Sequence, residues 1–319
     1  MHTSMRRGFT LVEMLVVITI IGVLVAILVP TVARAILSAK NTAMSMEMNQ
    51  LASALEAYKL ERKDYPPDFS NQAAVISHLR RAFPRSRFNV TTWMSSTKPF
   101  NPSAGDPPNP RTLDAAEALV FWLSLTKDNA RNPITGTGDL KVFYEFKSTQ
   151  LTDLDNDGWP EYVPKEATNA PFVYFDGRLH KTVSSTPAYA YAWSVYPSPY
   201  SPTNASPTSL VKMAANIPPA GTSPGVGVVR PYRSANGIPA GETKTWPKNA
   251  TNNTLWVNQG TFQIICAGMD SHFGYDNTSA FKTFPAPNYY SLASGLKRVE
   301  DEDNIPSFSE GQTIGNASP

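Results

Sequence analysis

The longest pattern in the chain is an apolar run from Phe9 to Ala33, broken by one formal charge, Glu13, and by the milder Thr10 and Thr19. About 20 apolar residues, at roughly 1.5 Å each, cross a bilayer as a helix. This run is long enough, and no later segment is. A helical period then continues, with Met44, Met48, Leu51, Leu55 and Tyr58 recurring at alternating spacings of four and three. Glu47, Glu56, Lys59 and Arg62 take other faces. The pattern predicts one helix over about residues 10–62, bent or loosened at Pro30, whose ring removes a backbone donor. It should stop ahead of Tyr65-Pro66-Pro67, because a residue before proline is pushed out of the α region. The Met/Leu stripe is the seam expected to pack against a globular head.

Shorter elements follow. Residues 71–83 read as a helix through Val75, Ile76, Leu79 and Phe83. Residues 113–125 read as another, with Asp114 and Glu117 as a capping box and Leu119, Val120, Trp122 and Leu123 as its core face. Val142–Phe146, Phe172–Phe175 and Phe262–Ile265 are strand candidates. Asp176-Gly177 between Phe172–Phe175 and Leu179–Val183 is a hairpin signal. Residues 184–250, rich in Pro, Ser, Thr, Ala, Gly and Asn, read as a long irregular insertion with a short helix near Leu210–Ala215. The fold class is α+β: a long spine helix on a loop-rich head with a small antiparallel sheet.

Composition adds two constraints. Charge is nearly balanced at +2, so no nucleic-acid partner is expected from the totals. With 28 prolines and charged residues at 17%, the chain suits a loop-rich extracytoplasmic domain. The single cysteine, Cys266, excludes an intramolecular disulfide, so packing, hydrogen bonds or a metal must hold the head.

A polar leader, Met1 to Gly8, precedes the apolar run and ends Arg6-Arg7-Gly8. A secretory signal peptide would place its small-residue cleavage site after the apolar core. Here the core continues into Arg34 and Ala35, and the small residue, Gly8, lies before it. Arg6 and Arg7 favour a cytoplasmic leader. The segment Arg7-Gly8-Phe9-Thr10-Leu11-Val12-Glu13 resembles the R/K-G-F-T-L-x-E signature of type IV prepilins and type II secretion pseudopilins. Leu55 to Tyr58 leading into Tyr65-Pro66 is similar to the spine end and YP turn of pseudopilins.

The resemblance implies cleavage between Gly8 and Phe9 by a prepilin peptidase, with methylation of the new Phe9 amine. The chain then divides into a leader (1–8), a transmembrane helix (9–33), its amphipathic continuation (34–63) and an extracytoplasmic head (64–319). It implies an inner-membrane, single-pass protein with a periplasmic head. Its partners would be homo- and hetero-pseudopilin subunits, the peptidase and an inner-membrane assembly platform. A carboxylate inside a bilayer costs roughly 2.5–3.5 kcal/mol on insertion scales, so Glu13 needs a partner. Glu13 can reach its own Phe9 amine four residues back. By the family model it reaches the amine of the preceding subunit. The plain alternative is a Glu stabilised near a helix N-terminus.

Two acidic clusters are calcium candidates. Asp153, Asp155 and Asp157 occupy positions 1, 3 and 5 of a loop with Gly158 at 6 and Glu161 at 9. Hard oxygens so spaced suit Ca²⁺. Position 12 holds Pro164, so this is no EF-hand; it resembles the D-x-D-x-D-G-x-x-D/E loops of β-rich extracellular proteins. An Asp-rich turn held by Asx bonds is the alternative. The second cluster joins Cys266-Ala-Gly268-Met-Asp270 to Asp301-Glu-Asp303-Asn304-Ile305, similar to two segments of a calcium-stabilised loop in major pseudopilins, although residues 275–299 intervene. Asp270 and Asp303 are its candidate ligands; a solvated acidic tail is the alternative.

An enzymatic reading finds no support. His2, His78, His180 and His272 lack metal spacing, Cys266 sits in an apolar strand context, and G-x-S-x-G, P-loop and dinucleotide motifs are absent. The expected role is a pseudopilus subunit, closest to the major type. The rivals are a type IV pilin or minor pilin, and a calcium-dependent binding module on a pilin-like anchor. The last predicts an exposed aromatic cluster among Trp159, Tyr162, Tyr174 and Trp193.

Overall fold

The computed structural model describes residues 11–69, 72–94, 110, 113–154, 158–167, 170–178, 257–258, 260–269, 304–309 and 312–313, together with the backbone of 233–234 and 283–284. The chain forms two compact units, Met1–Lys40 and Asn41–Pro319.

Helix α1, Leu11–Arg62, is unbroken and passes through Pro30. The predicted loosening there does not interrupt the helix. In the first unit every residue from 11 through 39 is exposed. In the second unit the predicted stripe is the buried face: Met48, Leu51, Leu55 and Tyr58 are fully enclosed and Met44 nearly so. The helix stops where Lys63 turns left-handed at φ 66°, its N–H donating to Lys59 O at 2.7 Å. The Pro66 and Pro67 carbonyls then accept the Tyr174 hydroxyl (2.6 Å) and the Trp122 indole N–H (2.8 Å), so the spine end is tied into the core.

Helix α2 (Gln72–Ala82) and a short α3 (Val90–Met94) follow. The predicted capping box forms: Asp114 Oδ1 accepts the Ala116 N–H at 2.7 Å, and Glu117 Oε2 accepts the Asp114 N–H at 2.9 Å. The helix it opens is shorter than expected. It is α-helical only over α4 (Ala118–Val120), then widens to a π turn at Phe121–Leu125. Six consecutive residues, Ala118 to Leu123, are buried, so no face of this segment is left for solvent.

Sheet β3-β5-β7 is antiparallel, formed by β3 (Val173–Asp176), β5 (Phe262–Cys266) and β7 (Ile305–Pro306). Strand residues alternate faces. Accordingly Tyr174, Ile264, Cys266 and Ile305 join the main core with the spine stripe, while Val173, Phe175 and Ile265 join a smaller cluster with Ala115 and Ala116. The described partner of β3 is β5, not the neighbouring Leu179–Val183, which lies outside the described residues. Gly177 does form a turn. A Cβ there would stand 2.6 Å from Asn258 O, so the close approach requires glycine.

Val142–Phe146 is not a strand. It runs beside the end of the π turn, with Phe143 N–H donating to Leu123 O (2.7 Å) and Lys141 N–H to Thr126 O (2.8 Å). Phe143 and Tyr144, adjacent in sequence, both pack against the core, which breaks the period of two. Strands β1 (Leu151–Thr152) and β2 (Glu161–Tyr162) close the first acidic loop. Of the 184–250 insertion only β4 (Arg233–Ser234) is described; it pairs in parallel with β6 (Thr283–Phe284). The helix expected near Leu210–Ala215 lies outside the described residues.

Candidate functional site

In the first unit the chemistry is that of an apolar helix with few polar groups. Glu13 lies in its first turn and is exposed. The Thr19 and Thr31 hydroxyls donate to the carbonyls of Leu15 (2.7 Å) and Ile27 (2.8 Å). Both are thereby satisfied within the helix, as a water-free surround requires. Among the described residues α1 is the one helix long and apolar enough to cross a membrane. Gly8 and Phe9 lie outside the described residues.

The first acidic loop is half described. Strand pairing Thr152↔Glu161 brings its two ends together. Asp153 Oδ2 accepts the Gly158 N–H at 3.0 Å, and Glu161 Oε2 accepts the Leu154 N–H at 2.8 Å. Gly158 has φ 96°, a conformation side chains avoid. Asp155 and Asp157 lie outside the described residues, as do Asp270 and Asp303. No group of three His, Cys, Asp or Glu able to hold a metal occurs among the described residues.

Among the described residues the aromatic cluster expected of a ligand-binding head is not exposed. Tyr162 and Tyr174 are fully buried, and Trp159 packs edge-on against Phe121 at 5.6 Å. Trp193 lies outside the described residues. Burial pushes the Tyr174 hydroxyl pKa up, with Asp176 and Asp68 adding to it, so the group stays neutral. Cys266 is buried 3.8 Å from the Met44 sulfur, a core residue as read from the sequence.

Two polar groups in the core escaped the sequence reading. Glu47, placed there on a different face from the stripe, is instead buried. It accepts the Tyr162 hydroxyl at 2.6 Å, the Gln150 amide at 3.2 Å and the Lys147 ammonium at 3.1 Å. Gln150 and Tyr162 flank β1 and lie in β2, so one spine carboxylate holds both stems of the acidic loop. Burial and the bond to Glu47 raise the Tyr162 pKa. The available signal was spacing: Glu47 sits three residues after Met44 and four before Leu51, on the edge of the same face.

His78, 1% exposed, stands 2.9 Å from the Tyr58 hydroxyl through Nε2 and has Trp122 edge-on at 5.1 Å. Asp64 lies 3.8 Å from its Nδ1. Burial, and then the positive fields of Arg81 and Arg62, lower its pKa to about 3, so it is neutral. Asp64 is itself held by Arg81 at 2.7 Å and by Arg178. Arg178 also grips Asp176 at 2.6 Å and Tyr65 O at 2.7 Å, and burial lowers its pKa.

Residues 3–29 match the family model described as prokaryotic N-terminal methylation motif. The chain is 39% identical over 71 residues to the type IV wide pilus major component PilA4 of Thermus thermophilus, covering 22% of this chain and 52% of that one. It is 39% identical over 76 residues to type II secretion system core protein G of Pseudomonas aeruginosa, covering 24% and 54%. It thus spans about half the length of these two relatives. Against core protein G of Klebsiella michiganensis it is 31% identical over 106 residues, covering 33% of this chain and 74% of the relative. No solved structure matches the chain.

Proposed function

The chain belongs to the prepilin-type family that includes type II secretion system core protein G, and from that premise we propose that it is a structural subunit of a type II secretion pseudopilus. A prepilin peptidase cuts it between Gly8 and Phe9, the new amine is methylated, and residues 9–33 hold it in the inner membrane with the head in the periplasm. An assembly platform then adds it to a filament of like and unlike pseudopilins.

The observation that carries this reading is the apolar stretch of α1 up to Ala33, exposed on every face. Such a surface is stable in lipid, or against other apolar helices, and not in water. Moving between those two environments is what filament assembly requires. Glu13 supplies the direction: a charge costly in hydrocarbon is neutralised when it meets the Phe9 amine of the preceding subunit.

Mass spectrometry of the mature protein tests the processing. N-methylated Phe9 as residue one is expected; an N-terminus beyond residue 33 overturns it. Glu13→Val should insert in the membrane yet leave filaments at background level, and normal filaments would remove the role of Glu13.

The likeness to a wide-pilus component favours a second reading, a type IV pilin or minor pilin. Deleting the gene separates the two: lost export of secreted proteins supports the pseudopilus, and lost surface fibres support the pilus. The head's first acidic loop is proposed as a structural calcium site with Asp153, Asp155, Asp157 and Glu161 as ligands. All four are hard oxygen donors; Glu161 lies in the paired strand β2 and Asp153 directly follows its paired partner Thr152. Bound there, calcium would cross-link the loop. The second candidate pair, Asp270 and Asp303, ranks below it.

A further inference from the structure

The head half of the spine carries a second seam. Met46, Gln50, Ser53, Ala57 and Leu60 recur at spacings of four, three, four and three, each two residues past a member of the buried stripe. Two residues are about 200° of helical turn, so this seam faces away from the core. All five are exposed, Met46 at 60% and Leu60 at 75%. Between those apolar ends the floor is small. Ser53, Ala54 and Ala57 meet a wall of Phe143 and Tyr144 and leave an open groove of about 440 Å³. The wall runs against the direction of the spine: Phe143 packs on Tyr58 at 5.1 Å, and Lys147 reaches Glu47 at 3.1 Å. Glu145, midway, therefore comes level with Gln50 to Ser53. It is exposed and makes no ion pair among the described residues. The wall's own cations are taken, Lys147 by Glu47 and Lys141 by Glu61 at 3.0 Å.

We propose that this groove receives the α1 helix of a second copy, by the face that carries Pro30, Arg34 and Leu37, with Arg34 paired to Glu145. The inference rests on the reading of the chain as a filament subunit and names the surface on which two neighbours meet. A seam with a 3.5-residue period is complementary to another helix. Small residues in its middle let two backbones approach closely. Residues 11–39 of the second copy supply such a helix, exposed on every side. Arg34 is the single cation in that stretch, and it too makes no ion pair among the described residues. Pro30, Arg34 and Leu37 follow one another at four and three, the spacing of Met46, Gln50 and Ser53. Laid in parallel, Arg34 falls beside Gln50, level with Glu145, and Leu37 falls on the small side chain of Ser53. A cation otherwise left in an apolar surround thus meets a carboxylate otherwise left without an ion pair. Residue 34 precedes residue 50 along the helix, so the copy that gives Arg34 is the one displaced outward from the membrane.

The test is disulfide cross-linking between two co-expressed, differently tagged full-length copies, one with Leu37→Cys and the other with Ser53→Cys. Cys266 is buried and stays in place. A mixed dimer is expected. Ala35→Cys, about 200° round the helix from residue 37, should give only background with the same partner. Reversing one charge turns attraction into repulsion. Arg34→Glu in the first copy, or Glu145→Arg in the second, should therefore slow the cross-link about tenfold at low salt. The two reversals together should restore the rate. The proposal is overturned by the absence of a mixed dimer, by equal cross-linking from Ala35→Cys, or by dimers that form only between two Ser53→Cys copies. Reversals that fail to rescue each other overturn it too. Electron microscopy of the parent chain reads filaments separately. Filaments without the cross-link sink this interface and leave the subunit reading standing; the cross-link without filaments keeps the interface and sinks that reading.

Discussion

Residues 11–39 and residues 44–58 belong to one helix with one backbone geometry, yet their side chains obey different rules. In the first stretch apolar residues occupy every face and all are exposed. In the second the stripe of Met44, Met48, Leu51, Leu55 and Tyr58 falls on one face and is enclosed, while Met46 and Glu56 look outward. The difference lies in what surrounds the helix. Where the surroundings are apolar, no face is special, and the rare hydroxyls turn inward to carbonyls, as Thr19 and Thr31 do. Where water lies on one side and a protein core on the other, position on the wheel decides everything. Even a carboxylate, Glu47, goes inside when three donors wait for it there.

The sharpest test of this contrast is a pair of truncations. Leu51→Ala opens a cavity in the core and should cost about 2–5 kcal/mol. Leu24→Ala, on the exposed half, should leave the head's melt unchanged. Denaturant unfolding of the chain in detergent, followed by tryptophan fluorescence, compares them; equal losses would break the contrast.

Glu47→Ala comes next. It removes the carboxylate that accepts the buried Tyr162 hydroxyl, while the Gln150 amide keeps its bond to Val163 O at 2.8 Å; a buried group left unpaired costs about 1–3 kcal/mol. Lys147, 64% exposed, rehydrates and adds little. The same unfolding measurement should place Glu47→Ala well below Glu145→Ala, whose side chain is exposed. If the two coincide, the Glu47 joint contributes nothing.

Acid should act on the second half through His78. Burial lowers its folded pKa to about 3 from an ordinary 6.5. The unfolded chain therefore takes up a proton first as pH falls. The stability this burial supports is fully present above about pH 6.5 and is lost as pH drops toward about 3. Between about pH 7 and about pH 5 the loss should reach about 2 kcal/mol, above the range where ordinary carboxylates titrate. His78→Gln should flatten that slope. A parent protein equally stable at both pH values would contradict the neutral, buried His78.

Calcium is expected to give the smallest effect. A ligand at a tenfold excess over its Kd stabilises by about 1.4 kcal/mol. Melting with calcium and then with chelator should show a shift that Asp155→Ala and Asp157→Ala abolish. If Asp270→Ala and Asp303→Ala abolish it instead, the second pair is the site. A curve that chelation does not move rules out both.

Much of this molecule was determined by local chemistry and so could be read from the chain. The spine helix, its end before Tyr65-Pro66-Pro67, its buried stripe, α2 and the strands β3 and β5 all follow from periodicity and proline sterics over a few turns. The Arg7 to Glu13 motif was legible as a resemblance, and it lies within the residues 3–29 that match the family model. Tertiary structure decided the rest. Val142–Phe146 has the composition of a strand but lies against the π turn, because two adjacent aromatics found room on the core. Strand β3 took as its described partner β5, far along the chain, and pairing across that separation leaves no mark on local pattern. Glu47 and His78 read as polar positions until the donors and rings of distant segments surrounded them. In each case the deciding energy is desolvation or hydrogen bonding by a group remote in sequence, which the order of residues alone does not encode in any short window.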